Sequence, residues 1–201
     1  MSAIAIYLEG GGQKKDSKAD LRTGMGEFLK SVRDNARAAG CHWKVVPCGS
    51  RNDAFGAFSH ATQTDSEAIN ILLVDSEEPL IGGPAAHLTA RDGWDLRGVD
   101  PDRVHLMACV METWIVADPE GLAGYYRQGF NRKSLPAATD LETVTKTDVN
   151  KALTGATRAT QKGEYHKTRH APDLLERIDP VKVRTRCQHC DRLFGFLMSV
   201  V

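Results

Sequence analysis

Apolar positions along the chain come in four short runs separated by stretches with helical spacing. Residues 3–8 (AIAIYL), 43–48 (WKVVPC), 68–75 (AINILLVD) and 103–110 (RVHLMACV) are rich in β-branched and other apolar side chains. The first and third are almost unbroken, as expected of strands covered on both faces. Between the first two runs, Leu21, Met25, Phe28, Leu29 and Val32 recur at helical spacing, with Gly40 placed to stop the helix. Between the second and third, SRNDAFGAFSHATQ is a shorter helical stretch that Ser50 or Asn52 could cap. Strand, helix and strand in repetition predict an α/β fold with a mainly parallel sheet flanked by helices. Residues 77–102 read as loop with one short helix near 84–90, and METWIVADPEGLAGYYR (111–127) as one or two helices broken near Pro119.

From about Gln128 the pattern becomes polar, Thr-rich and only patchily periodic. Helices are expected near 147–155, 168–178 and 187–199, the last two separated by DPVKV. This divides the chain into an α/β body, 1–127, and a basic, mainly helical C-terminal extension packed on it, 128–201.

Composition adds little: 41% apolar and 26% charged residues over 201 positions is ordinary globular usage. No apolar run approaches a membrane span, and no basic segment leads into a long apolar one at the N-terminus, so a cytoplasmic protein without membrane contact is expected. Three of the five cysteines (Cys41, Cys48, Cys109) lie in apolar stretches, which fits free thiols rather than a disulfide framework. Charge changes the picture more. The net charge is zero, but residues 127–201 carry 14 Lys and Arg against 8 Asp and Glu, and residues 1–126 carry 12 against 18. An acidic front and a basic back suit a carboxylate-lined site beside a surface that holds a polyanion, and equally two halves that attract each other.

The candidate chemistry lies where the apolar runs end. The first stops at Glu9 and three glycines, and the third at Asp75 with Glu77 two residues on. In an extended chain residues i and i+2 point the same way, so Asp75 and Glu77 could converge on one cation. In a parallel sheet Glu9 and Asp75 would share the carboxyl edge, where like charges raise each other's pKa unless a cation neutralises them. Oxygen ligands without histidine favour Mg²⁺ or Mn²⁺ over zinc. Glu112, set among apolar residues, needs a purpose or a partner there. Asp118 reads as a helix cap before Pro119, with metal ligation as the alternative. His166, His170, Cys187 and Cys190 have spacings compatible with Zn²⁺, but with a single CxxC in a helical stretch the pattern is weak. The loop EGGGQKK lacks the GK[ST] ending of a P-loop. Arg22, Lys162, Lys167 and Arg169 are candidate phosphate contacts, and Lys167 a candidate for stabilising developing negative charge.

A glutamate and glycines after the first strand, then an acidic pair with one residue between after a later strand, resembles the Toprim domain of topoisomerases, bacterial primases and overcoming-lysogenization-defect nucleases. More narrowly, EGGG, LRTGMGEFL, LVDSEEP, CVMETWIVADPEGLAGYY and YHKTRHAPDLLERI are similar to a Toprim-related bacterial family catalogued as a domain of unknown function. The resemblance implies a Mg²⁺- or Mn²⁺-dependent nuclease centre. Glu9 would match the Toprim glutamate, Asp75 and Glu77 the paired acids, and Glu112 the acidic residue of the METW block. Where Toprim domains usually carry a second aspartate, this chain has Glu77. The implied substrate is nucleic acid, DNA or RNA. Kinship also suggests an AAA or ABC-type ATPase partner in anti-phage defence. Two other classes fit the same features: a non-catalytic subunit docking on an ATPase, and a nucleotide-binding sensor.

Overall fold

The computed structural model describes residues 3–65, 67–80 and 82–201. Strands β1 (Ala3–Glu9), β2 (His42–Gly49), β3 (Ile69–Asp75) and β4 (Val104–Met107) form one all-parallel sheet in the order β2-β1-β3-β4. The α/β class and the parallel sheet are as the apolar pattern predicts. β1 and β3, the two nearly continuous runs, lie side by side in the centre, while β2 alternates in exposure because it is an edge strand.

β4 is shorter than the apolar run that announces it. Its expected tail, Ala108–Val110, is a buried turn: Cys109 takes a left-handed φ of 57°, its N–H donates to Ser76 Oγ at 2.7 Å, and its carbonyl accepts from Glu77 N at 2.7 Å. An apolar run marks burial, and a buried turn satisfies that as well as a strand does.

The first helical stretch is two helices, α1 (Lys15–Phe28) and α2 (Lys30–Ala38), which meet at Leu29. α3 (Arg51–Thr64) opens with a capping box in which Ser50 and Asp53 satisfy each other's backbone N–H groups. α4 (Pro84–Asp92) occupies the expected 84–90 region; within the 77–102 segment, Ile81 lies outside the described residues. The METW block forms α5 (Met111–Val116) and α6 (Pro119–Tyr126), broken before Pro119 as expected.

Asp118 stands at the N-cap position of α6, but its carboxylate caps nothing there. It accepts from Asp179 N at 2.9 Å and from Lys182 Nζ at 2.8 Å, pinning a distant helix start. α7 (Lys146–Thr157), α8 (Lys167–Leu175), α9 (Pro180–Arg186) and α10 (Gln188–Ser199) complete the chain. The DPVKV separator is in fact the start of α9, because Asp179 caps it and Pro180 takes the first position, where its missing N–H costs nothing. Among the described residues no helix is long and apolar enough to cross a membrane.

One face of the sheet carries the larger core. Ile4, Ile6 and Leu8 of β1 and Ile71 and Leu73 of β3 pack in one buried cluster with α1, α5 and residues of α7, α8 and α10. Phe28 joins these layers, stacked on Trp114 at 5.4 Å and edge-on to Phe194 at 5.7 Å. A smaller cluster beneath the other face unites Leu72, Val74, Phe58, Leu88 and Leu106.

Gly24 of α1 lets α8 come close. A Cβ there would stand 2.5 Å from the Pro172 carbonyl oxygen, inside any tolerable contact. Gly24→Ala is therefore expected to destabilise the fold by about 1–3 kcal/mol, the cost of overpacking against backbone. Gly26→Ala, which would meet only the end of Arg33 at 3.6 Å, should gain up to about 1 kcal/mol from helix propensity. Denaturant unfolding of the pair checks this; equal effects would contradict the close approach.

Candidate metal centre at the carboxyl edge of the sheet

The chain leaves β1 through α1 and α2 to β2 on one side, and returns through α3 to β3 on the other. Crossovers diverging in this way leave a crevice outside the carboxyl ends of β1 and β3, where open α/β sheets place ligands. Glu9 ends β1 and Asp75 ends β3, so both acids stand at that crevice. The glycines keep it in shape. Gly10 (φ 123°) pairs with Gly49 through two backbone hydrogen bonds of 2.9 Å, which clips the end of β1 to the end of β2.

Glu9, Asp75 and Glu77 each offer one carboxylate oxygen, and these oxygens lie within 4.8 Å of one another. Glu77 arrives differently from the extended-chain expectation. β3 ends at Asp75, and Glu77 has a φ of 69°, so a left-handed turn rather than strand alternation brings the pair together. Ser76 fixes that turn: its Oγ accepts from Cys109 N and donates to the Glu78 carbonyl at 2.7 Å. Glu78 itself points away, exposed and paired with Arg91.

Each acid has a defined partner. Glu9 Oε2 accepts from Asp75 N at 3.0 Å and lies 3.6 Å from Arg51 Nη1, which also donates to the Asp75 carbonyl at 2.9 Å. Asp75 Oδ1 accepts from Met111 N at 2.8 Å, and its Oδ2 lies 3.3 Å from Lys167 Nζ. The same ammonium is 3.3 Å from Glu112 Oε2, while Tyr165 OH donates to Glu112 Oε1 at 3.0 Å. Lys146 pairs with Glu77 at 2.5 Å. Glu112 thus faces Lys167 and Tyr165 and is not among the three acids whose oxygens converge.

Burial dominates the electrostatics. Asp75 is 2% exposed, and loss of hydration pushes its carboxyl from 3.8 up to about 7; Lys167 opposes the rise, and Glu9 and Glu112 add to it. Glu9 is also raised by burial, partly offset by Arg51. Burial favours neutral Lys167, but Asp75 and Glu112 outweigh it and hold the ammonium firmly charged. Its side chain as a whole remains 45% exposed, so the ammonium is held by the acids at the border of open solvent. Burial and then Glu112 raise the Tyr165 hydroxyl, which keeps its proton as a donor.

This donor set fits a hard divalent cation. It consists of carboxylate oxygens alone, the oxygens converge, and burial raises the Asp75 and Glu9 carboxyls even against the cations beside them. Beside it opens a pocket of about 240 Å³ bordered by Glu9, Gly11, Leu21, Met111, Lys167 and Thr168.

The other sequence candidates lie elsewhere. Arg22 donates to the Val45 carbonyl at 3.1 Å and ties α1 to β2. Arg169 lies in the first turn of α8 and Lys162 just before that helix, Arg169 Nη2 donating to the Lys162 carbonyl at 3.2 Å. His170 Nδ1 is within 3.0 Å of Tyr126 OH, Cys187 and Cys190 are buried in the core, and none of these joins His166 in a convergent ligand group among the described residues. Sequence reasoning missed Arg51, Lys146 and Tyr165. Arg51 left a trace: a basic residue in the first turn of a helix opposes the helix dipole and needs another reason to be there.

A family model described as a domain of unknown function, DUF4276, matches residues 8–198. No curated protein and no solved structure matches the chain.

Between its ordinary value and about 7, folded Asp75 keeps a proton that the unfolded chain has lost. In the absence of metal this group should make stability fall as pH rises from about 4 to about 7, then level off. Asp75→Asn should remove that slope. Thermal unfolding with chelator across this range is the measurement; a pH-independent difference between the two proteins would contradict the burial-driven shift.

Proposed function

The chain belongs to the DUF4276 family, and we propose that its acidic centre holds Mg²⁺ or Mn²⁺ and cleaves phosphodiester bonds in nucleic acid, in the manner of a Toprim-like nuclease. The observation that carries this reading is the convergence of Glu9, Asp75 and Glu77 at the β1–β3 crevice with a fixed ammonium, Lys167, against Asp75. When bound, the divalent cation supplies Lewis-acid stabilisation of phosphoryl oxygens and lowers the pKa of water.

The residues of the chain divide the remaining work. Glu9, Asp75 and Glu77 are the ligands. Arg51 holds Glu9 through the 3.6 Å ion pair and Asp75 through its carbonyl, so both acids keep their orientation as charge enters the site. Lys167 stands where a phosphate approaching the acids would meet it, a preorganised cation that stabilises negative charge developing on the substrate. Glu112 fixes Lys167, and Tyr165 fixes Glu112 through its hydroxyl proton. Glu112 therefore positions Lys167 on this reading.

Lys167→Met is expected to lower kcat by about a hundredfold to a thousandfold, the usual cost of one preorganised charge donor, while metal binding persists. Glu78→Gln, outside the centre, should leave cleavage unchanged. Cleavage of labelled DNA and RNA oligonucleotides with Mn²⁺ or Mg²⁺ tests this. Full activity in Lys167→Met would remove it from the machinery, and no metal-dependent cleavage by the wild-type chain would overturn the nuclease reading.

A further inference from the structure

α8 presents two different faces. Lys167, Thr168, Ala171 and Pro172 border the pocket beside Glu9. Asp173, followed by Arg177 just past the helix, borders a separate concavity of about 490 Å³ that also includes Tyr125, Arg127, Gln161 and Lys162. Arg169 adjoins it through its bond to the Lys162 carbonyl. Four cations, Arg127, Lys162, Arg169 and Arg177, thus gather in one place. Among the described residues none of them lies within 4.0 Å of a carboxylate oxygen, although the chain forms many such pairs elsewhere.

The way these cations are held is informative. Lys162 Nζ lies 4.4 Å from the centre of the Tyr125 ring and Arg177 Cζ lies 5.8 Å from it. An aromatic face attracts cations without cancelling their charge. Among the described residues the one carboxylate lining the concavity, Asp173, accepts a hydrogen bond from Tyr125 OH at 3.0 Å, so it fixes the ring rather than pairing with an Arg or Lys. Arg127 holds a left-handed φ of 58° at the end of α6, a costly conformation for a residue with a side chain. Like charges gathered without counterions repel, and an anionic occupant with several phosphates is their complement.

We propose that this groove binds the phosphate backbone of the nucleic acid that the acidic centre acts on, leading the strand past the N-terminal end of α8 to Lys167. The proposal rests on the nuclease reading for what happens at the far end of the strand. The groove and the acidic centre lie on opposite flanks of one helix, whose diameter is about 10–12 Å. A distance of that size is spanned by a few consecutive phosphates of one strand. Lys162 and Arg169 then act with Arg127 and Arg177 as one phosphate-binding set, and the substrate is a polymer rather than a free nucleotide.

The test uses the whole chain, single-stranded DNA and RNA oligonucleotides and chelator, with binding followed by fluorescence anisotropy over a range of salt. Charge reversal at Arg127→Glu together with Arg177→Glu should weaken binding at least tenfold and reduce the slope of log affinity against log salt by about 1.4, roughly 0.7 per lost single-strand phosphate contact. Arg177→Glu alone leaves the strained position untouched and should give about half that change in slope. The same charge change at Lys151→Glu and Arg158→Glu, which border a different concavity along α7, should leave the slope unaltered. With Mn²⁺ present, the groove variant should raise KM and keep kcat, whereas Asp75→Asn should lose kcat and keep binding. Unchanged affinity in the groove variant, an equal loss in the Lys151 and Arg158 control, or no oligonucleotide binding by the wild-type chain overturns the groove. Binding through the groove without any cleavage leaves the groove standing and overturns the nuclease reading instead.

Discussion

Asp75 ends a central strand inside the protein, with its carboxylate almost fully shielded from solvent and three further carboxylates, Glu9, Glu77 and Glu112, nearby. Holding a charge there is costly, and much of the surrounding structure serves to hold it. Met111 N donates to one oxygen, Lys167 approaches the other, and Arg51 is anchored to the Asp75 carbonyl while reaching Glu9. Three sequence-distant segments, the starts of α3, α5 and α8, are therefore brought to the end of one strand. Even with these contacts lowering it, burial pushes the Asp75 carboxyl up to about 7.

The C-terminal helices complete this arrangement. Lys167 is the first residue of α8, and α8 is set against α1 where Gly24 admits the backbone at Pro172. A close-packed interior transmits small displacements, so the position of the ammonium depends on a glycine one helix away. The same helix separates the acidic crevice from the cationic groove around Tyr125. The acidic crevice and the cationic concavity thus border different faces of α8.

The sheet was largely legible because β1 and β3 are buried on both faces and read as unbroken apolar runs. β4 was overdrawn because a buried turn at Ala108–Val110 is as apolar as a strand. The acids were legible by their place at the ends of those runs, yet Glu77 converges through a left-handed turn that side-chain alternation does not describe. The pairing of Lys167 with Asp75 and Glu112 spans 92 residues in the first case, and no local spacing encodes it. Asp118 illustrates the reverse: a residue in a typical capping position whose carboxylate is drawn off by Asp179 N and Lys182.

The decisive question is whether Glu9, Asp75 and Glu77 together take a divalent cation. Calorimetric titration of Mn²⁺ into the metal-free chain, repeated in buffers of different ionisation enthalpy, measures both binding and the protons released with it. Because Asp75 titrates at about 7, binding should release protons at pH 6 to 7 and cease to do so well above that range, as the carboxylate is then already ionised. Absence of Mn²⁺ binding, or binding whose proton release does not change with pH, would contradict the assignment of the metal to Asp75 and its neighbours.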